Sequence, residues 1–299
     1  MILSFFKTKF NIDFYSMRKI AFLFSFILIT FSIVYSMGKN LNLGIDFKGG
    51  IMIDVKFENI PNINVIRDDL GSLALGNFEI QEFGVPENLL IRIEKQPGDQ
   101  KKQMEAIEKI KNKLPVNVDY RRIEYVGPKV GKELKLMGIK AVVFSLVAMF
   151  IYIWFRFSGW QFGLAAVIAL FHDIISTIGF FSLTQIEFNL SSIAAMLTIA
   201  GYSINDTVVV FDRIRENLIK KENKDFKGLL NFSINATLSR TIMTSLTTLI
   251  ALIALLSLGG EVIAGFVSSM IWGVVIGTYS SIFIASPLIA FLGFKLIKN

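Results

Sequence analysis

Long apolar runs separated by short polar ones make up most of the chain, and their lengths set the first prediction. About 18 or more predominantly apolar residues suffice to cross a bilayer as a helix. Runs of that length predict spans over 20–38, 138–157, 161–184, 189–211, 236–258 and 262–294. The last exceeds what a bilayer needs, which predicts tilting or an extension out of the membrane near Pro287. The first has a basic flank, as a signal peptide would, but no small-x-small cleavage site follows it. It is read as a retained span.

Between the first and second spans the pattern changes. Residues 39–135 are polar, with short alternating stretches. GIMIDVKFE alternates as a strand, and NINVIRDDLGSLAL reads as a helix. FEIQEFGV and NLLIRIEK read as two strands around a turn at Pro86 and Glu87. GDQKKQMEAIEKIKNKL is helical, with Met104, Ile107, Ile110 and Leu114 at three-to-four spacing, and VNVDYRRIEYV closes as a strand. The order βαββαβ is that of a split βαβ, ferredoxin-like domain. The fold class is therefore a six-span α-helical membrane protein with a small α+β domain on one face. Its parts are 1–38 (N-terminal segment and first span), 39–135 (outer domain) and 136–299 (spans two to six, with a basic loop near 212–235).

Composition agrees with the membrane reading: of 299 residues 53% are hydrophobic, 28 are Phe and only 18% are charged. The net charge of +7 changes the picture only once it is placed. Residues 39–135 are nearly balanced, so the excess sits in the membrane part and its loops. Lys7, Lys9, Arg18 and Lys19 precede span one, and Arg156 ends span two. Arg213, Arg215, Lys220, Lys221, Lys224 and Lys227 follow span four, and Lys295 and Lys298 follow span six. With six spans these lie on one side, and the short loops near Glu187 and at Gly259–Glu261 carry no Lys or Arg. Lys132, Lys135 and Lys140 count against this, but they adjoin a long insertion, where the rule is weak. Both termini are expected in the cytoplasm, and the basic excess is topological rather than a nucleic-acid groove. Asp212–Ile219 is expected to continue span four as a helix. KKENKDFKGLL after it reads equally as an amphipathic segment on the membrane surface or as a solvated loop.

Candidate chemistry is sparse. Cys is absent and His172 is the single histidine, which excludes thiol chemistry and argues against a His-based metal site. No GxxxxGK[ST], GxSxG or HExxH occurs, so neither an ATP engine nor a hydrolase is indicated. Asp206 stands out because it lies about 9 Å along the helix from the first charge after span four. A charge at bilayer depth costs about 2.5–3.5 kcal/mol even on insertion scales and needs a partner. Arg240 is the Lys or Arg within spans three to six that enters from the same side at comparable depth. Thr237, Thr241, Thr244, Ser245 and Thr248 recur beside it as a polar stripe of span five. Gly201 and Ser203, with Asn205 close by, are expected to allow close helix approach in span four. Two readings stay open: a proton relay in which Asp206 takes up and releases a proton beside Arg240, or an ion pair that fastens two helices. Asp173, beside His172 midway through span three, is either a second relay acid or a packing contact satisfied by a hydroxyl. Neighbours on a helix point about 100° apart, so the two are not expected to share a face. Gly44, Asp46, Gly49 and Gly50, and then Gly127, Pro128 and Gly131, read as turn and hinge chemistry at the outer-domain junctions. Gly273 and Gly277 form a small-xxx-small pair.

GIDFKGG, VGPKVG, FHD, AGYSINDTVVVFDRIREN and TLSRTIMTS together resemble the SecF family, the smaller half of the bacterial SecDF protein-export pair within the resistance-nodulation-division superfamily. The resemblance covers almost the whole chain. It implies a subunit in the bacterial inner membrane that pairs with a SecD-like subunit. Such a pair uses the proton-motive force to draw unfolded polypeptide outward after the SecYEG channel and SecA have moved it. Protons are the coupling ion, and no cofactor, metal or nucleic acid is implied. The family's span-four aspartate and span-five arginine, which matter for proton transport, match Asp206 and Arg240. The second reading kept is a stand-alone proton-driven exporter of lipids or small hydrophobic molecules.

Overall fold

The computed structural model describes residues 10–98, 100–220 and 226–293. Lys7, Lys9, Lys221, Lys224, Lys295 and Lys298, used above in the charge reading, lie outside the described residues, as does the middle of the KKENKDFKGLL stretch. The chain divides into two compact units. One gathers the chain up to Asn42, Lys140–Ile186 and the chain from Ser191; the other gathers Leu43–Ile139 and Glu187–Leu190.

Six helices among the described residues are long and apolar enough to cross a membrane. They are α1 (Phe14–Lys39), α5 (Pro128–Phe157), α6 (Trp160–Thr184), α7 (Leu190–Lys220), α8 (Phe226–Leu258) and α9 (Glu261–Ser280) with its continuation. The apolar runs located every one, but several ends move, and α1 begins at Phe14 rather than 20. α5 begins ten residues before the expected 138, because Pro128 takes the first helical position, where its missing N–H costs nothing. Of the expected hinge at 126–131, Val126 ends the strand Val118–Val126, Gly127 links, and 128–131 form the first turn of the helix. α7 continues to Lys220 as expected. α8 begins at Phe226 rather than 236, and its first-turn Leu229 and Leu230 are buried in the helical core. That part of KKENKDFKGLL is neither a surface-lying segment nor a solvated loop. The sixth span changes its hydrogen-bond pattern before Pro287. A π-helical turn over Ser281–Ala285 leads into α10 (Ser286–Phe291), whose second residue is Pro287. Proline removes one helical N–H, and the wider turn accommodates the carbonyl thus released.

In lipid, helices associate through close packing rather than apolar transfer from water. Here three rings interlock: Phe157 and Phe162 stack at 5.0 Å between centroids, and Phe211 meets them edge-on at 5.7 and 5.1 Å. Beside them Arg156 Nη2 donates to Asp212 at 2.8 Å, joining the end of α5 to α7.

The outer unit contains α2 (Ile45–Lys48), β1 (Gly50–Phe57), α3 (Ile63–Gly71), β2 (Phe78–Phe83), β3 (Val85–Ile93), α4 (Gln100–Lys113) and β4 (Val118–Val126). The sheet order is β2-β3-β1-β4, antiparallel throughout, which agrees with the ferredoxin-like reading. Alternate residues of a strand face one side, and Ile51, Ile53, Val55 and Phe57 of β1 pack with Leu89, Ile91 and Ile93 of β3 beneath α3 and α4. Two details differ from expectation. The hairpin turns at Gly84, with φ +85°, while Pro86 and Glu87 lie inside β3, outside its pairing with β1, where a missing N–H is tolerated. In α4 the buried face carries Gln103, Ala106 and Ile110, and Met104 is exposed. Gln103 is buried because its amide closes on Gln96 from both sides: it accepts from Gln96 N at 3.0 Å and donates to Gln96 O at 2.6 Å.

Candidate functional site

The site is built on α7. Successive inward positions of that helix face different neighbours, so residues three or four apart enter different polar groups. Asp206 is buried at 3% exposure. Its Oδ1 accepts from Thr244 Oγ1 of α8 at 3.4 Å, a long bond from a hydroxyl that also lies 2.9 Å from Thr241 O. Asp206 Oδ2 and Thr241 Oγ1 are both buried with no hydrogen-bond partner. Arg240 interacts with Asp206 through space. Yet no salt bridge joins the two, and the guanidinium makes no hydrogen bond among the described residues; Arg240 is exposed. The expected close pair is thus a half-built one within this chain.

The polar stripe divides in the same way. Thr237 and Thr248 return their hydroxyls to carbonyls of their own helix, at 3.1 and 2.9 Å, and serve its backbone. Ser245 looks outward instead, 2.7 Å from Thr278 Oγ1 of α9 and accepting from Tyr202 at 3.4 Å. Asn205 and Gly201 are exposed, and nothing lies within 4 Å of a Cβ built on Gly201. Gly201 therefore permits no close approach within this chain. The tight contacts are at Gly273 and Gly277 of α9, where a Cβ would overlap Ile199 and would come to 3.0 Å from Ser203 Cβ, respectively.

Ser203 belongs to a second group. Its Oγ donates to Asp173 Oδ2 at 2.7 Å, and Ser280 Oγ donates to the same oxygen at 2.8 Å. His172 Nδ1 lies 3.0 Å from Asp173 Oδ1, so the adjacent pair does meet, contrary to the helix-face expectation. The 100° between their Cα directions is closed by the imidazole, whose Nδ1 can turn back along the helix. Ser281 Oγ donates to Ser203 O at 3.1 Å and lies 2.8 Å from Thr207 Oγ1. The sequence carried no sign of Ser280, Ser281 and Thr207; only the adjacency of two serines to a span-three carboxylate in space reveals them.

The junction motif has a definite role in the outer unit. Gly44 N donates to Phe188 O and Asp46 Oδ2 accepts from Leu190 N, both at 2.9 Å. Leu190 is the first residue of α7, so Asp46 supplies an acceptor and a negative charge at that helix's N-terminus. Arg92 of β3 pairs with Glu187 of the same segment. Gly49 and Gly50 have φ +74° and +134°, and a Cβ on Gly50 would fall 2.6 Å from Ile93 O. Gly131 has a Cβ position 3.2 Å from the carbonyl oxygens of Asp46 and Phe47. Gly127 alone separates β4 from Pro128. No group of three or more possible metal ligands occurs among the described residues.

Residues 106–295 match the family of the protein export membrane protein SecD/SecF, C-terminal, and residues 38–59 match the SecD/SecF GG motif. Protein translocase subunit SecF of Rickettsia bellii is 44% identical over 289 residues, covering 96% of this chain and 95% of that protein. The corresponding subunit of Rickettsia prowazekii is 43% identical, covering 96% and 93%. Among solved structures, SecDF from Thermus thermophilus, described as a translocon-associated membrane protein, superposes with TM-score 0.84 at 35% identity over 96% of this chain. SecDF in a super-membrane-facing form gives 0.69 at 33% identity. The chain spans 39% of the length of each of these two SecDF chains.

Proposed function

The chain belongs to the SecD/SecF family of protein-export membrane proteins, and from that premise we propose that it acts as the SecF-type half of a SecDF pair. In this reading a SecD-like subunit supplies the second set of spans. The pair sits in the inner membrane with both termini of this chain in the cytoplasm, and helps polypeptide outward after SecYEG and SecA. It couples to the proton-motive force and catalyses no covalent reaction. The observation that carries the reading is Asp206, a buried carboxyl with one oxygen unpartnered, beside a guanidinium on the neighbouring helix that makes no hydrogen bond or salt bridge among the described residues. Ionisable groups within a membrane are expensive, and an unfinished pair fits a proton site completed by another subunit. Ala194, Thr198, Gly201 and Asn205 recur along one exposed side of α7, small and polar positions of the kind helices use to associate in lipid. They support a partner there. Asp173, the other carboxyl buried within the spans, belongs to the relay beside it.

The relay predicts that Asp206→Asn, which keeps the shape but not the titratable proton, accumulates normally with its partner. Inverted vesicles should then retain SecA-driven transport and lose the component added by a proton gradient. Gradient-driven export equal to wild type overturns the assignment.

A further inference from the structure

Asp173 is wholly buried, and every hydrogen bond it accepts through its carboxylate comes from a neutral donor or from the imidazole beside it. With both hydroxyls directed at Oδ2, Oδ1 is left to His172, and with the carboxyl ionised Nδ1–H donates to it. The carboxylate therefore fixes the tautomer and orientation of the ring, as an orienting acid does for a general base. The consequence is that Nε2 carries a lone pair. That atom is buried and has no hydrogen-bond partner.

The surroundings of the ring are neutral. From α9, Tyr279 lies 6.1 Å away between centroids, its hydroxyl donating to Ala21 O of α1 at 2.8 Å and lying 3.0 Å from Ser25 Oγ. From α7 the facing group is Ser203, and from α9 also Ser280. Among the described residues no Lys, Arg, Asp or Glu other than Asp173 is ion-paired with either member.

Two states of the pair have different charge. Neutral His172 with ionised Asp173 carries a net charge of −1 in an apolar bundle, an uncompensated buried charge. A proton bound at Nε2 gives an imidazolium against a carboxylate, with net charge zero. The Nδ1–H bond persists in both states, so uptake needs no rearrangement of the ring. Ser281 extends the polar line to Thr207, the residue after Asp206.

We propose that His172 is a second proton-carrying residue of the relay, with Nε2 taking up and releasing the proton and Asp173 positioning and balancing it. This rests on the relay reading of Asp206, which it extends from one exchanging group to two. The competing account is a fixed imidazole that only ties α6 to α7 and α9.

The chain has a single histidine, so a complex reconstituted in a bilayer from this chain with 15N-labelled imidazole and an unlabelled SecD-like partner gives one interpretable resonance set. As the pH is lowered from about 8 to about 5, the wild type should pass from the Nδ1–H tautomer to imidazolium. A ring that stays in one neutral form across that range overturns the proposal whatever the mutants do. His172→Asn, which still donates to Asp173 but cannot bind the proton, should lower gradient-driven export by about tenfold or more at normal abundance. Export equal to wild type sinks the proposal, and Asp206→Asn run in parallel separates the cases. If only Asp206→Asn fails to export, the relay stands without His172; if neither is impaired, the relay reading itself has failed.

Discussion

Replacing Arg240 by leucine should have opposite consequences for the lone chain and for the assembled pair. Arg240 lies about 27 Å along α8 from its end at Leu258, and Asp206 about 24 Å along α7 from its end at Leu190, on the same side of the bundle. A hydrocarbon core of about 30 Å puts both a few ångströms inside its far edge. The full penalty of an arginine at the bilayer centre, about 2.5–3.5 kcal/mol, falls at that depth to about 1–2 kcal/mol, because the long stem lets the guanidinium reach the interface. No hydrogen bond or salt bridge among the described residues offsets it. Arg240→Leu should therefore leave the isolated chain as stable as wild type, or stabilise it by about 1 kcal/mol, roughly fivefold in the folded ratio. Co-expressed with a SecD-like partner, the same variant should lose gradient-driven export. The assay is denaturant unfolding of the purified chain in bilayer discs, with and without the partner. An isolated chain destabilised by more than about 1 kcal/mol refutes the reasoning, since it requires an internal partner for the guanidinium.

Topology is testable because the chain has no cysteine of its own. An impermeant thiol reagent added to intact spheroplasts should label Val116→Cys, which is 99% exposed in the outer unit, but not Ile219→Cys at the end of α7; the reverse pattern overturns the orientation. Burial pushes the Asp54 carboxyl of β1 above its usual range, against the pull of Arg121 and Arg122. A carboxyl whose folded value is raised binds more protons in the native state, so its contribution to stability falls as pH rises through that value. Amide exchange of β1 should slow as pH is lowered from neutrality towards the ordinary carboxylate range, after correction for intrinsic rates. Asp54→Asn should abolish that dependence.

The six spans and the βαββαβ order were legible because both rest on periodicity and length, which composition carries directly. Helix ends were less so: 128–137 and 226–235 are helical outside the apolar runs, where propensity and capping act and no hydrophobic boundary marks the start. Gln103 shows the limit of reading a helix face by polarity, because its burial depends on a chain segment that returns to meet its amide. Asp206, Arg240 and Asp173 were visible as costly residues in apolar surroundings. What they touch was not, since Ser203, Ser280 and Ser281 are unremarkable hydroxyls until three helices bring them together. Asp46 was read as turn chemistry, and its bond to Leu190 joins positions 144 residues apart, which no local pattern reveals.

The π-helical turn at Ser281–Ala285 acts as a phase shift in the last span. An extra residue in one turn advances everything beyond it by about 100° relative to a regular α-helix. Ser286 Oγ, which donates to Ser281 O at 2.7 Å across five residues, closes that widened turn. Deleting one residue within Ser281–Ala285 would restore an unbroken α-helix at no loss of length worth counting. It would also rotate Ile289 away from the core it shares with α6 and α8, or turn Tyr279 and Ser280 out of theirs. The two ends of the span are thus tuned to different phases, and a single-residue change in frame, chemically silent by composition, is among the most disruptive this helix can receive.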